Sequence, residues 1–297
     1  MLVRVSIAAA FLAFVGTALW AVLDAPGNTL SPWVLAAYAV VFTALATYRV
    51  DLEVRERQML AAGPGDAVRP ALLQGGALPV VEQLAAMALP LSLLLVLLYA
   101  PQEATMKQLQ RIFYVHVASA WCAYLAFLVV FIGSVRYLWR RRPDDDRLAL
   151  AAAEPGVLFT TLVLISGPIW AKPAWGIWWD WDARLTLTLI LWLVYIGYLM
   201  LRAQVTDPDR ARTLAAVVGV FGFIGVPINY MAIRWWEGQH PRPVIAGDEE
   251  SGLDPLMARA FWFNVAVFSL ILVAFLLRRQ RLARAADAVA CRDVEGG

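Results

Sequence analysis

Apolar residues in this chain neither alternate nor recur on one helical face; they run on unbroken. Eight such stretches are found, at about 5–23, 32–48, 80–100, 113–138, 156–172, 184–201, 212–233 and 260–277. Each is near the roughly 20 residues that a helix needs to cross a hydrocarbon core about 30 Å thick. Within such a core every backbone N–H and C=O must be paired inside the segment, so continuous apolar runs of this length read as helices. The pattern predicts an all-α fold, a polytopic integral membrane helix bundle of about eight transmembrane helices.

The polar interruptions are informative in turn. Between the second and third runs lies VDLEVRERQMLAAGPGDAVRPALLQGGALP, charged and helix-favouring at first, then rich in Gly, Pro and Ala. It reads as a helical extension followed by a linker, and it divides the chain into an N-terminal membrane extension, 1–78, and a six-span unit, 79–297. Arg4 precedes the first run, which is long for a signal-peptide core and lacks a good cleavage site, so an uncleaved span is expected there. With the amino terminus placed inside, more than two-thirds of the 25 Lys and Arg fall on that same side. This bias sets the expected orientation: both termini cytoplasmic, and the loop around residue 178 outside.

Composition agrees with a membrane protein: 61% hydrophobic and 16% charged, with a net charge of +2 that gives no sign of a nucleic-acid partner. Cys122 lies in an apolar run and Cys291 in the basic tail, on opposite sides of the expected membrane, so no disulfide is expected. Neither C-x-x-C nor C-x-x-C-H occurs, which removes thiol exchange and self-attachment of haem. No GxxxxGK[ST] occurs either, so nucleotide hydrolysis would belong to a partner.

One stretch stands apart from the spans. Trp175 to Thr186 reads WGIWWDWDARLT, four tryptophans within seven residues, closed by acidic residues, an arginine and a threonine. Interfacial belts supply one or two tryptophans per helix end; this many offers a platform for a large planar apolar ligand. The chain's two histidines, His116 and His240, fall on the same outer side. Taken singly, His116 could serve only to bond a neighbouring helix, and His240 only to face solvent. Together beside an indole cluster they suit haem iron, which two neutral imidazoles can hold from opposite faces. A proton relay would want carboxylates at mid-span, and none is predicted there. Zinc would lack a third His or Cys. Haem propionates call for cations, and Arg184 is the first candidate, with Lys172, Arg111, Arg234 and Arg242 also on that side. Asp182 is placed to cap the sixth helix, and Asn229 to bond a neighbouring helix.

WGIWWDWDARLT resembles the WWD signature, WG-x-WW-x-WD-x-R-x-T, of the haem-handling proteins of cytochrome c maturation. From about residue 79 to 280, through RIFYVHVASAW, SGPIWAKPAWG and VPINYMAIRWWEGQH, the chain is similar to the CcmC family. The resemblance implies a bacterial inner-membrane protein that binds b-type haem non-covalently and transiently at its periplasmic face. It implies His116 and His240 as axial ligands, and Trp175, Trp178, Trp179, Trp181, Asp182 and Arg184 as the remaining binding residues. It also implies delivery to the haem chaperone CcmE, within an assembly that includes the ABC transporter subunits CcmA and CcmB, rather than catalytic turnover. The haem lyases CcmF and CcsA share the signature but usually carry four histidines, and a haem or small-molecule transporter would need a polar path that the spans hardly offer. Residues 30–62 faintly resemble CcmD, the small single-span partner, which would make the extension a fusion.

Overall fold

The computed structural model describes residues 31–62, 76–236, 238 and 252–295, residues 62 and 288–295 by their backbone alone. The described residues form seven long helices: α1 (Pro32–Ala62), α2 (Leu78–Leu94), α3 (Ile112–Arg140), α4 (Pro143–Trp175), α5 (Ala183–Gln204), α6 (Pro208–Trp235) and α7 (Pro255–Glu295). All seven are long and apolar enough to cross a membrane. Among the described residues no strand occurs, only one isolated bridge between Glu103 and Lys107. Seven of the eight expected spans are thus present, and the run at 5–23 lies outside the described residues. The protein is an all-helical, multi-span membrane bundle.

α3 is the centre of the bundle, with α4 packed along it as an antiparallel partner and α6, α7 and α1 on its remaining sides. The α3–α4 turn is short: Arg141 adopts a left-handed conformation (φ 55°), and Pro143 opens the next helix, where its missing N–H costs nothing. Two glycines let these helices close. A side chain at Gly133 would meet the Asp145 carbonyl at 2.8 Å, and one at Gly156 would meet the Phe127 ring at 2.5 Å. Phe127 stacks in turn on Tyr195 of α5 (3.6 Å, 6°).

Polar residues inside the spans tie helices together. Ser92 of α2 donates to Asn264 of α7 (2.6 Å), whose amide donates to the Tyr114 carbonyl of α3 (2.7 Å). Away from the core, Phe221 and Ile224 of α6 and Met200 of α5 lie exposed; in a bilayer that apolar surface meets lipid instead of water.

One end of the bundle is held by ion pairs. Asp146 takes both terminal nitrogens of Arg202 (2.5 and 2.8 Å), and Arg136 pairs with Asp145 (2.7 Å). Arg278 of α7 reaches Glu82 of α2 (2.9 Å) and Glu56 of α1 (3.0 Å), while Glu154 joins Arg279 and Arg55 and accepts from Tyr48. The opposite end carries the tryptophan motif. There α2 ends in a π-turn, Leu95–Tyr99; the carbonyls of Val96 within it and of Ala100 just beyond it accept from Arg111.

Candidate functional site

The motif is the link between α4 and α5, and both ends of the link are capped. Gly176 closes α4 in a left-handed conformation (φ 80°), donating to the Lys172 carbonyl (3.0 Å). Asp182 opens α5, its carboxylate accepting from Leu185 N–H at 2.7 Å, the cap expected from sequence. Five residues lie between these caps, and the motif's last residue, Thr186, sits in the first turn of α5. Seven residues, caps included, turn the chain from one span to the next and carry three of the four indoles, Trp178, Trp179 and Trp181.

Trp175, Trp178, Trp179, Asp182 and Arg184 line one small chamber of about 80 Å³ together with His116, which reaches it from α3. Trp181 stands outside, largely exposed (72%), its ring set edge-on to Trp179 at 5.6 Å. The indoles do not form a flat stack. Trp170 and Trp175 are tilted by 33° and Trp179 and Trp181 by 76°, the edge and tilted arrangements that aromatic quadrupoles favour. His240 lies outside the described residues. The segment leading to it starts at the motif, because a side chain at Gly238 would meet Asp182 Oδ2 at 3.0 Å.

His116 also borders a second, larger space. A cleft of about 1020 Å³ is floored by α3, walled by α6 and α7, which do not pack along one another, and capped by the loop 101–106. Its lining is mainly apolar, and Trp121 and Trp262 stand half-exposed beside it. His116, Ala120, Tyr124, Trp170 and Arg184 line both spaces, so they form the wall between them. The small chamber is far below the 300–1,000 Å³ range of ligand pockets, whereas the cleft reaches its upper bound.

Hydrogen bonding sets the proton on His116. Ser166 of α4 donates its hydroxyl proton to the Leu162 carbonyl (2.6 Å), so the same oxygen must accept from His116 Nδ1 (2.9 Å). In the neutral ring the lone pair is then on Nε2, the arrangement of a metal-ligating imidazole whose other nitrogen donates to a fixed acceptor. Trp170 stands edge-on to the ring at 5.9 Å.

Arg184 lies across the top of the wall. Its guanidinium donates to the carbonyls of Asn229 (3.0 Å) and Tyr230 (3.4 Å) of α6. Asn229, fully buried, donates to Thr188 (2.8 Å) and accepts from Tyr124 (2.9 Å), joining α5, α6 and α3 beneath the site. Of the other cations expected near the site, Lys172 is half-buried over Trp178 and Arg234 stacks on Tyr230, while Arg242 lies outside the described residues. Arg111 is withdrawn from that set. It is buried and bonded to the carbonyls of Val96 and Ala100 at the end of α2.

Among the described residues, the indole nitrogens of Trp170 and Trp179 and the hydroxyl of Thr186 are buried without a hydrogen-bond partner. Each such donor costs about 1–3 kcal/mol, and those of Trp170 and Trp179, which both line the small chamber, suit a ligand that carries oxygen acceptors. Tyr124 and Trp170 were not singled out from sequence. Trp170 could have been, since it lies five residues before Trp175 at the same helix end. Trp235 and Trp236 stand exposed at the end of α6, edge-on to each other.

Residues 65–293 match the family model described as CcmC, Heme exporter protein C. The chain is 37% identical over 189 residues to Heme exporter protein C of Bradyrhizobium diazoefficiens, covering 61% of this chain and 72% of the relative. It is 34% identical to the protein of that name from Rhodobacter capsulatus over 62% of this chain and 76% of the relative. For Escherichia coli K12 the identity is 30%, over 62% and 74% respectively. With the family model spanning α2 to α7 and the motif between α4 and α5, the chain belongs to the CcmC, or Heme exporter protein C, family.

Proposed function

We propose that this protein holds haem at the motif-bearing face of the bundle and delivers it for cytochrome c maturation. In this reading the haem is b-type and non-covalent, bound transiently, and its receiver is the membrane-tethered chaperone CcmE. The ATP-using steps belong to the ABC transporter subunits CcmA and CcmB. The motif faces the periplasm, with both termini on the cytoplasmic side of the inner membrane. Residues 1–78 are an extension joined to the six-span unit, and the part described, α1, takes the place of a CcmD-like single span.

One observation carries the reading: the Ser166–His116 hydrogen bond puts the lone pair on Nε2 at the wall of an apolar cleft large enough for a tetrapyrrole. Bound there, haem presents an iron that takes axial imidazoles, a broad apolar face and two carboxylates. His116 supplies one axial nitrogen, and its basicity is raised by the bond to Ser166. His240 supplies the other; it follows Gly238, which touches Asp182, by two residues, a reach of at most about 7 Å. Arg184 and the unpartnered indole N–H of Trp170, both on the cleft wall, meet the propionates, while Trp175, Trp178 and Trp179 back that wall from the small chamber and Trp181 shields the loop side. Asp182 holds the loop to α5 rather than touching iron. The residues orient and shield the ring, and no group here performs turnover.

The test is absorption spectroscopy of the purified full chain, wild type against His116→Ala and His240→Ala. Wild type should carry a Soret band that each variant weakens and shifts. A band unchanged in both variants removes the ligand assignment.

A further inference from the structure

The family match begins at residue 65, after α1 has ended, yet α1 touches the motif. Trp33, in its first turn, lies 5.5 Å from Trp178 at 64°, the edge of one indole against the face of the other. The second neighbour of the Trp178 ring is the Lys172 ammonium, 6.0 Å from its centroid and held in place by the Gly176 carbonyl (2.8 Å). Trp178 sits mid-loop and is otherwise half-exposed (51%). A seven-residue link capped at both ends still leaves its central side chain free to turn, so contacts such as these two bear on where that ring stands.

α1 is rigid enough to set that position. Val34, Ala37 and Val41 are buried on the face it turns to the bundle, and the Tyr38 hydroxyl donates to the Arg111 carbonyl (3.0 Å). At the far end Tyr48 and Arg55 hold Glu154, and Glu56 holds Arg278. A helix fixed along its length and at both ends presents Trp33 at one place, whereas a loosely attached span would not.

We infer that Trp33 is a positioning residue of the site: the helix that precedes the family-matched segment props Trp178 in the small chamber that shares the His116 wall with the cleft, and so slows release of what the cleft holds. This rests on the haem reading above and adds that the loop's grip is set from α1. Trp33 does not touch iron or its ligands. Its removal should therefore alter how fast haem leaves and not which nitrogens bind it.

The experiment uses the full chain in detergent, loaded with haem and mixed with excess apomyoglobin as acceptor. Trp33→Ala should keep the wild-type Soret position while transferring haem about 2- to 12-fold faster, the span of one aromatic pair. Trp33→Phe, which keeps a ring edge, should stay near wild type. In a Trp178→Ala background, Trp33→Ala should add nothing. A second readout needs no haem: in 5-fluorotryptophan-labelled protein the Trp178 19F resonance, assigned by its absence in Trp178→Phe, should move in Trp33→Ala. An unmoved resonance overturns the inference, as does a transfer rate equal to wild type or an equal acceleration in both backgrounds. Failure of the haem reading itself shows elsewhere, in a Soret band that His116→Ala and His240→Ala leave intact.

Discussion

Ser166 is the residue on which the chemistry of His116 turns. It has one proton and gives it to the carbonyl four residues earlier, so it can meet the imidazole only as an acceptor. Removing that acceptor with Ser166→Ala frees the ring to rotate and to place its proton on either nitrogen. Losses of 10- to 100-fold are typical when such a partner of a metal-bound histidine is deleted. Haem affinity in Ser166→Ala should fall by about that factor, and the midpoint potential should rise, because a less basic imidazole stabilises ferric iron less. Titration of apoprotein with haem and a redox titration check both; no change in either would end the account of the tautomer. At this scale the sequence was legible where chemistry is rare. Two histidines and a run of tryptophans stand out in an apolar chain, and Asp182 before an apolar run reads as a cap, which it is. Ser166 was not legible, since a serine inside a span is ordinary and its partner is 50 residues away in sequence. Arg111 was misread for a related reason: position at the outer end of a span says nothing about the Val96 and Ala100 carbonyls that take its guanidinium.

Helices carry these side chains into register, and the α3–α4 pair does most of it. α3 brings His116 and Tyr124; α4 brings Ser166, Trp170 and Trp175. The two helices close through Gly156, where a Cβ would sit 2.5 and 2.8 Å from atoms of the Phe127 ring. That ring is fully buried and stacked on Tyr195, so it has nowhere to go. Gly156→Val should push α4 off α3 and cost about 1–3 kcal/mol, the usual penalty of overpacking. A lowered thermal unfolding midpoint in detergent would register it, with haem binding weakened alongside because Ser166 lies ten residues further up the same helix. A variant as stable as wild type would mean that the helices are less tightly set. Apolar runs revealed these elements but not their lengths. The run at 156–172 belongs to a helix that starts at Pro143, and the run at 260–277 to one that continues to Glu295. Charges at Asp144, Asp145, Asp146 and Arg147 end an apolar run without ending a helix. Outside the hydrocarbon they are paired, Asp145 with Arg136, Asp146 with Arg202 and Arg147 with Asp287.

Over the whole molecule, ion pairs gather at one end and indoles at the other, and this asymmetry is what a membrane reads. Arginines at the α3–α4 turn, at the end of α5 and along the last part of α7 all lie at the end away from the motif. Such a bias of Lys and Arg selects the cytoplasmic side during insertion, so the motif loop should face outward. Cysteine labelling decides this with little disturbance. Cys122 is fully buried and will not react, and Cys291→Ser removes the other thiol. In that background Trp181→Cys places a thiol on the most exposed indole of the motif, and Arg142→Cys places one at the exposed α3–α4 turn. A membrane-impermeant maleimide added to intact spheroplasts should label the first and spare the second until the membrane is opened. The reverse pattern would put the imidazoles and tryptophans on the cytoplasmic side, where no periplasmic chaperone can reach them, and would overturn the direction of delivery while leaving the site's chemistry as it stands.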